Sequence, residues 1–290
     1  MSEVTRTRVA LMTHESVHGI ESPVRTLLAA CSERGVELCI DHQEAAGDRL
    51  AALGVHVIDD VTKDPGVQVC ITLGGDGTIL RALRGFTGTG VPVFAVNFGQ
   101  VGFLATAEPV DLVETFAQAL DGAFDRLEVP GVTIAVEGRE GTHFGINDVS
   151  IHRQMGSRVA ELGYGVDEAV LGAIRCDGLV ACTPAGSTGY NLANGGPILA
   201  WGVEGYGVSF IAPHSLTARS IVVSPNDNLI VENRGKDALE VLVDGRPNGV
   251  LVDPGRRVTL GYRPAAAVLA QLPGSSFYAR LREKFGHLRG

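Results

Sequence analysis

The chain has 290 residues, 45% of them hydrophobic, and a formal net charge of −9. That length allows two domains of ordinary size, and that apolar share allows a real buried core, which excludes a disordered chain. The acidic balance excludes a polybasic surface for nucleic acid or membrane, yet an anionic small ligand needs only a few local donors. Residues 9–12 (Val-Ala-Leu-Met) predict a buried strand. Residues 14–18 then read His-Glu-Ser-Val-His, the H-E-x-x-H pattern of a zinc metalloprotease. Such histidines need one helix face on which to converge. Here they follow a strand, stand before Gly19, and precede a helix start, so the pattern falls in a loop and no zinc site is expected.

A helix is expected over residues 23–34, with Ser22 as N-cap, Pro23 at the first helical position and Gly35 as its stop. Residues 67–73 predict a second strand, residues 78–83 open a helix, and residues 92–96 form a third strand. A helix over 111–120 follows an Asp111 cap. Strands alternating with helices imply a parallel sheet covered on both faces. Beyond about residue 126 the texture changes. Short strands are expected at 132–136, 220–224, 228–232, 239–243 and 257–260, separated by turn-forming stretches such as Asp244-Gly245 and Pro254-Gly255. That is the pattern of a mostly antiparallel β domain. In the tail, Phe277, Leu281, Phe285 and Leu288 share one helical face, with Arg280, Arg282 and Lys284 off it; docking on the protein's own surface explains this face better than a membrane does. The organisation expected is an α/β N-terminal domain with a parallel sheet (residues 1–125), an all-β, sandwich-like domain (126–270) and a C-terminal helix (271–290).

No apolar run is long enough to span a bilayer, and the polar opening Met1-Ser2-Glu3 does not resemble a secretory leader. The five cysteines (31, 39, 70, 176 and 182) contain no Cys-x-x-Cys pair, so neither a disulfide framework nor a cysteine zinc site is expected. A reducing cytoplasm is the expected compartment.

The strongest local chemistry lies at Leu73-Gly74-Gly75-Asp76-Gly77-Thr78, between a buried strand and a helix. Glycines let backbone N–H groups approach a polyphosphate closely, and the helix N-terminus favours its charge. A carboxylate among them is repelled by phosphate unless it binds Mg²⁺ or takes a proton from a hydroxyl about to be phosphorylated. The third glycine of the dinucleotide fingerprint is missing, and no G-K-[ST] occurs. A second short pattern, Ala185-Gly-Ser-Thr-Gly189, loosely resembles a serine-hydrolase elbow, but it lacks the first glycine and identifiable acid and base partners.

Gly74-Gly-Asp-Gly-Thr78 resembles the G-G-D-G-T motif shared by NAD kinases with diacylglycerol and sphingosine kinases and, more distantly, phosphofructokinases. Further stretches select among them. Asn97-Phe-Gly-Gln-Val-Gly-Phe-Leu104 resembles the N-x-G-x-x-G-F-L segment of NAD kinases, and Asn147-Asp148 stands where they carry Asn-Glu. Cys176-Asp-Gly-Leu179 leads into Thr183-Pro-Ala-Gly-Ser-Thr-Gly-Tyr190, similar to their D-G-x and T-P-T-G-S-T-A-Y run. Asn194-Gly-Gly-Pro197 and Pro213-His-Ser-Leu216 match as well, so the resemblance covers nearly the whole chain in order.

The resemblance implies a kinase that moves the terminal phosphoryl group of ATP, or of polyphosphate, to the 2′-hydroxyl of the adenosine ribose of NAD. It implies an α/β domain, a β-sandwich, a C-terminal segment returning to the first domain, Mg²⁺ or another divalent cation, and a homodimer or homotetramer. Asp76 would be the general base, and Gly74, Gly75, Gly77, Thr78 and Arg81 would hold donor phosphates. NAD would fall to Phe103, Asn147, Asp148, Arg175, Asp177, Ala185, Thr188, Gly189, Tyr190 and Ala193; the metal ligands are left unassigned. Asp148 for the usual Glu, Ala185 for a hydroxyl-bearing residue, Gly189 for Ala and Ala193 for Ser depart from the pattern. All four lie on the acceptor side, which leaves open a related kinase with another hydroxyl acceptor, or a nucleotide-binding protein without catalysis.

Overall fold

A computed structural model describes residues 7–14, 19–44, 47–99 and 102–286. The chain forms two compact units, Met1–Glu128 with Ala267–Gly290, and Val129–Ala266. The expected β domain ran on to residue 270. Its last few residues instead belong to the first unit, because the final strand continues into that unit's sheet.

The first unit contains β1 (Arg8–Thr13), α1 (Glu21–Glu33), β2 (Glu37–Asp41), α2 (Gly47–Ala51), β3 (His56–Ile58), β4 (Val67–Gly74), α3 (Asp76–Gly85), β5 (Pro92–Asn97) and α4 (Leu112–Leu120). The second contains most of β6 (Asp125–Val136), then β7 (His143–Gly145), β8 (Asp148–Arg153), β9 (Ala160–Val166), β10 (Ala169–Cys176), β11 (Gly178–Cys182), α5 (Tyr190–Ala193), β12 (Tyr206–Ile211), β13 (Ile221–Val223), β14 (Leu229–Asn233), β15 (Leu239–Val243) and β16 (Arg246–Val252). Most of β17 (Arg257–Gln271) also lies there. Its end returns to the first unit, where α6 (Phe277–Phe285) closes the chain.

In the first unit the strands run in the order β17-β5-β4-β1-β2-β3, and every pairing is parallel. β4 is buried along nearly its whole length, the mark of a strand covered on both faces. Val69, Ile71 and Leu73 join Val9, Leu11, Leu38, Ile40, Phe94 and Val96 in one core with Val24 and Leu27 of α1 and Phe116 of α4. The helix expected at 23–34 begins earlier: Ile20, fully buried, is its N-cap, and Val24 N donates to the Ile20 carbonyl at 2.9 Å. Ser22 and Pro23 sit inside the first turn, where a missing N–H costs nothing because those amides lack intrahelical partners. Gly35, at φ +66°, ends the helix as expected. Asp111 caps α4 by accepting from Glu114 N at 3.1 Å.

The second unit is a sandwich. One sheet orders β13-β12-β11-β8-β15-β16; the other carries β10-β9-β14 and the first part of β17. Val149, Ile151, Leu179, Val208 and Val241 of the first sheet share a core with Leu162, Ile174, Leu229, Val231 and Leu260 of the second. Tyr206, fully buried, ties it together through its hydroxyl, which accepts from Leu229 N and shares its one proton between the carbonyls of Asp227 and Leu260, each at 3.1 Å. No helix among the described residues is long and apolar enough to cross a membrane.

Candidate active site

In the first unit the strand order reverses between β1 and β4, and ligands of open α/β sheets bind outside the carboxyl ends of the strands at such a point. The glycine loop follows β4 there. Gly75 is the N-cap of α3 and Asp76 its first residue, so the loop delivers a helix N-terminus to the switch point. A Cβ on Gly75 or Gly77 would meet nothing within 4 Å, which leaves both backbones open to a ligand. Gly74 serves packing instead: a Cβ there would lie 2.5 Å from the hydroxyl of Thr78, itself buried.

The Asp76 carboxylate accepts long hydrogen bonds from Phe103 N (3.3 Å) and Leu104 N (3.4 Å). The segment that supplies them is fixed by Asn97, which is buried, donates to Glu108 and accepts from Gly99 N at 3.0 Å. Its two glycines have separate reasons. A Cβ on Gly99 would touch Gly75 at 3.5 Å, and one on Gly102 would lie 2.0 Å from Asp76 Oδ1. Gly102 thus makes the space that the carboxylate occupies.

Two of the residues expected to meet a ligand in this unit also make contacts within the protein. Arg81 forms an ion pair with buried Glu44 at 2.5 Å and donates to the Thr13 carbonyl at 2.7 Å, so its guanidinium braces the loops. Phe103, expected as an apolar wall for a nucleoside, is 4% exposed. Phe277 and Phe285 of α6 pack on its ring, and Lys284 lies over it at 4.8 Å. The apolar face of the tail does dock on the protein, as expected for Phe277 and Phe285, while Leu288 lies outside the described residues. Of the H-E-x-x-H stretch, His14 follows the end of β1 and residues 15–18 lie outside the described residues; among the described residues no group of three or more His, Cys, Asp or Glu could hold a metal ion.

In the second unit, Asn147 and Asp148 stand at the start of β8. Asp244 accepts from the amides of Ile146 (3.3 Å), Asn147 (2.7 Å) and Asp148 (3.2 Å), and its own amide donates to the Asp148 carbonyl. From the other side Thr183 donates to the Ile146 carbonyl at 2.6 Å and accepts from Gly186 N. A Cβ on Gly186 would lie 2.0 Å from the Asn147 carbonyl, so only glycine allows this approach. The backbone is therefore satisfied while the side chains are not: Asn147 Oδ1 and Asp148 Oδ1 are buried without a hydrogen-bond partner. Buried polar atoms are ordinarily paired, and these two point to a ligand that pairs them. Burial first, and the Asp244 carboxylate second, push the Asp148 carboxyl up to about 7.

Tyr190 begins α5, 40% exposed, with its ring stacked on His152 at 5.8 Å. Burial raises its phenol against a hydrogen bond with Asn194, and the charges of Asp148 and Asp177 add to the rise, which places all three in one neighbourhood. Asp177 is held by Arg153 at 2.5 Å. Thr188 ends a 3₁₀ turn (Gly186–Thr188), Ala185 is buried, and Gly189 and Ala193 are exposed around α5. Arg175 is exposed on β10, where its carbonyl accepts from His214 N. Ser187 of the elbow-like pattern is fully buried, donating to the Pro184 carbonyl and accepting from Leu199 N, which leaves no nucleophile. Sequence reasoning missed Asp244, seen only as a turn, and Thr183, Arg153 and His152, whose roles arise from pairing across strands.

Residues 32–124 match the model of the ATP-NAD kinase N-terminal domain and residues 146–269 that of the ATP-NAD kinase C-terminal domain. A NAD kinase of Gemmatimonas aurantiaca is 30% identical over 96% of each chain, and one of Symbiobacterium thermophilum is 36% identical over 75% of this chain and 78% of its own. Two solved structures share the fold: yeast NADH kinase complexed with NADH (TM-score 0.86, 18% identity, 99% of this chain and 89% of that one), and a NAD kinase from Archaeoglobus fulgidus in complex with ATP (TM-score 0.71, 23% identity, 97% and 98%). Two family models in tandem and full-length relatives of the same kind leave one conclusion: the chain belongs to the NAD kinase family.

Proposed function

We infer that this chain is a NAD kinase that uses ATP as phosphoryl donor and forms NADP. The observation that carries the reading is a carboxylate set in an open glycine loop and aimed by two long backbone hydrogen bonds, which leaves its oxygens lone pairs for a proton. In the reaction the 2′-oxygen of the adenosine ribose forms a bond to the terminal phosphorus, and the bond from that phosphorus to the bridging oxygen breaks. ADP leaves with the electron pair, and the hydroxyl proton goes to Asp76. An alcohol is a poor nucleophile, and a positioned base contributes as the bond to phosphorus forms.

Gly75, Gly77 and the first amides of α3 bind the donor phosphates, and Asn147 and Asp148 take the ribose hydroxyls. The orphaned oxygens of this pair support that role, since hydroxyl donors satisfy them directly. Tyr190 supplies an aromatic face for a base. Magnesium, or another divalent cation, neutralises charge on the transferring phosphates when bound; it needs no protein cage, because Mg²⁺ takes one or two carboxylates plus substrate phosphates. The donor phosphates would supply most of its oxygens; no protein ligand is assigned, and among the described residues no group of three or more His, Cys, Asp or Glu could hold a metal ion.

Polyphosphate as an alternative donor, a homodimer or homotetramer, and a cytoplasmic location belong to the same proposal. Five free, buried cysteines fit a reducing compartment, and burial pushes the Cys176 thiol up to about 11, which keeps it inert. The substitutions at Asp148, Ala185, Gly189 and Ala193 are met by no observation that favours another acceptor. The test is an assay for NADP with NAD, Mg²⁺ and either ATP or polyphosphate; absence of NADP with both donors overturns the reading.

A further inference from the structure

The C-terminal helix reaches the catalytic loop through one side chain. The Arg280 guanidinium donates through Nη1 to the carbonyls of Phe103 (3.1 Å) and Ala105, and through Nη2 to Gln271 Oε1 at 2.7 Å. Phe103 and Leu104 are the residues whose amides hold the Asp76 carboxylate. One short stretch of backbone is therefore gripped from both sides, its N–H groups by Asp76 and its carbonyls by Arg280. Burial lowers the guanidinium below its ordinary value while the charge of Asp76, then those of Glu283 and Glu108, oppose that shift, so Arg280 and Asp76 are near enough to feel one another. Phe277 and Phe285, from the same helix as Arg280, pack on the Phe103 ring.

We propose that Arg280 is a positioning residue for the phosphoryl transfer, fixing Asp76 through the 103–105 backbone and making α6 a working part of the catalytic site. This rests on the kinase reading above. Removing the guanidinium frees the Phe103 and Ala105 carbonyls; the strand of backbone then relaxes, and the two amides that aim the carboxylate move with it. A misplacement of about 1 Å costs on the order of 100-fold in rate.

The experiment is steady-state NADP formation by the full chain and by R280A, with melting curves alongside. The expected result is a kcat lowered roughly 10- to 100-fold, with KM for NAD and ATP within about twofold of the parent and a cooperative melt retained. A role in folding alone would lower the amount of active enzyme and the melting temperature together, without a lasting loss of kcat per folded molecule. Q271A removes the third acceptor but nothing from 103–105, so its kcat stays within about threefold; a loss equal to that of R280A would overturn the proposal. If R280A does not fold, R280K, which offers a point charge in place of a planar fork, is measured in its stead, with the same loss expected and an unchanged kcat overturning the idea. A parent that makes no NADP sinks the kinase reading and this proposal together. An active parent with an unaffected R280A sinks the proposal alone.

Discussion

The glycine loop after β4 and the turn at the start of β8, the two places assigned above to the donor and the acceptor, are built in opposite ways. In the loop the backbone is left open and the one charged side chain is held in place: Gly75 and Gly77 have clear space above them, while Asp76 is aimed by two amides and by the room that Gly102 leaves. In the turn the backbone is tied down by Asp244 and Thr183, and the Oδ1 atoms of Asn147 and Asp148 are left without a partner. A polyphosphate is recognised by many weak donors at close range, which suits bare backbone. A ribose offers a few directed hydroxyls, which suits buried side chains with unfilled positions. On the proposed reading, the difference teaches that one protein can store binding capacity in main chain at one place and in orphaned side-chain atoms at another.

The sharpest way to break this contrast is at Asp76. Asp76→Asn keeps the shape and removes the proton acceptor, so kcat for NADP formation should fall by about 10²- to 10⁴-fold while the KM for NAD hardly moves; a normal rate removes Asp76 from the chemistry. Gly102→Ala tests the same carboxylate by volume, because the new methyl would lie 2.0 Å from Asp76 Oδ1. The expected loss is about 100-fold in kcat, whereas Gly75→Ala, with open space above it, should act mainly on the KM for ATP.

At the turn, Asp148→Asn separates binding from stability. The folded carboxyl titrates at about 7 and the unfolded one near its ordinary value, so the native state resists losing that proton. Stability from Asp148 is therefore full below pH ~4 and drains away as the pH rises to ~7. The variant should match the parent in unfolding free energy at pH 4 and exceed it above pH 7 by an amount on the order of 2–4 kcal/mol, read from denaturant melts. Its KM for NAD should rise about tenfold. A stability difference independent of pH would show that the carboxyl is not buried as described. The smallest effect on turnover is expected from Arg81→Met: the guanidinium braces Glu44, so melting temperature falls while the KM for ATP changes little. A large rise in that KM would restore Arg81 to the donor site.

Much of the first unit was legible in the chain because its signals are local. Continuous apolar runs named β1, β4 and β5, the glycine loop named itself, and Asp111 capped its helix. Less of the second unit could be seen. β10 is mostly exposed and interrupted by Gly172, β11 is buried throughout with no alternation, and β17 runs on through Pro264 and Ala265 (φ +47°), where the sequence suggests a stop. Pairing with neighbours, rather than propensity, holds such strands.

Sequence by itself determined the glycine loop between strand and helix, the carboxylate within it and the order of motifs that marks the family, since each rests on residue type and close spacing. Only the tertiary structure decided that Arg81 is a brace, that Phe103 is covered by α6, that Asp244 organises the Asn147-Asp148 turn and that Arg280 reaches the segment holding Asp76. The physical reason is distance along the chain: Asp244 acts on backbone nearly a hundred positions before it, and Arg280 on backbone more than a hundred and seventy before it. No local pattern encodes which distant amide or carbonyl a side chain will meet.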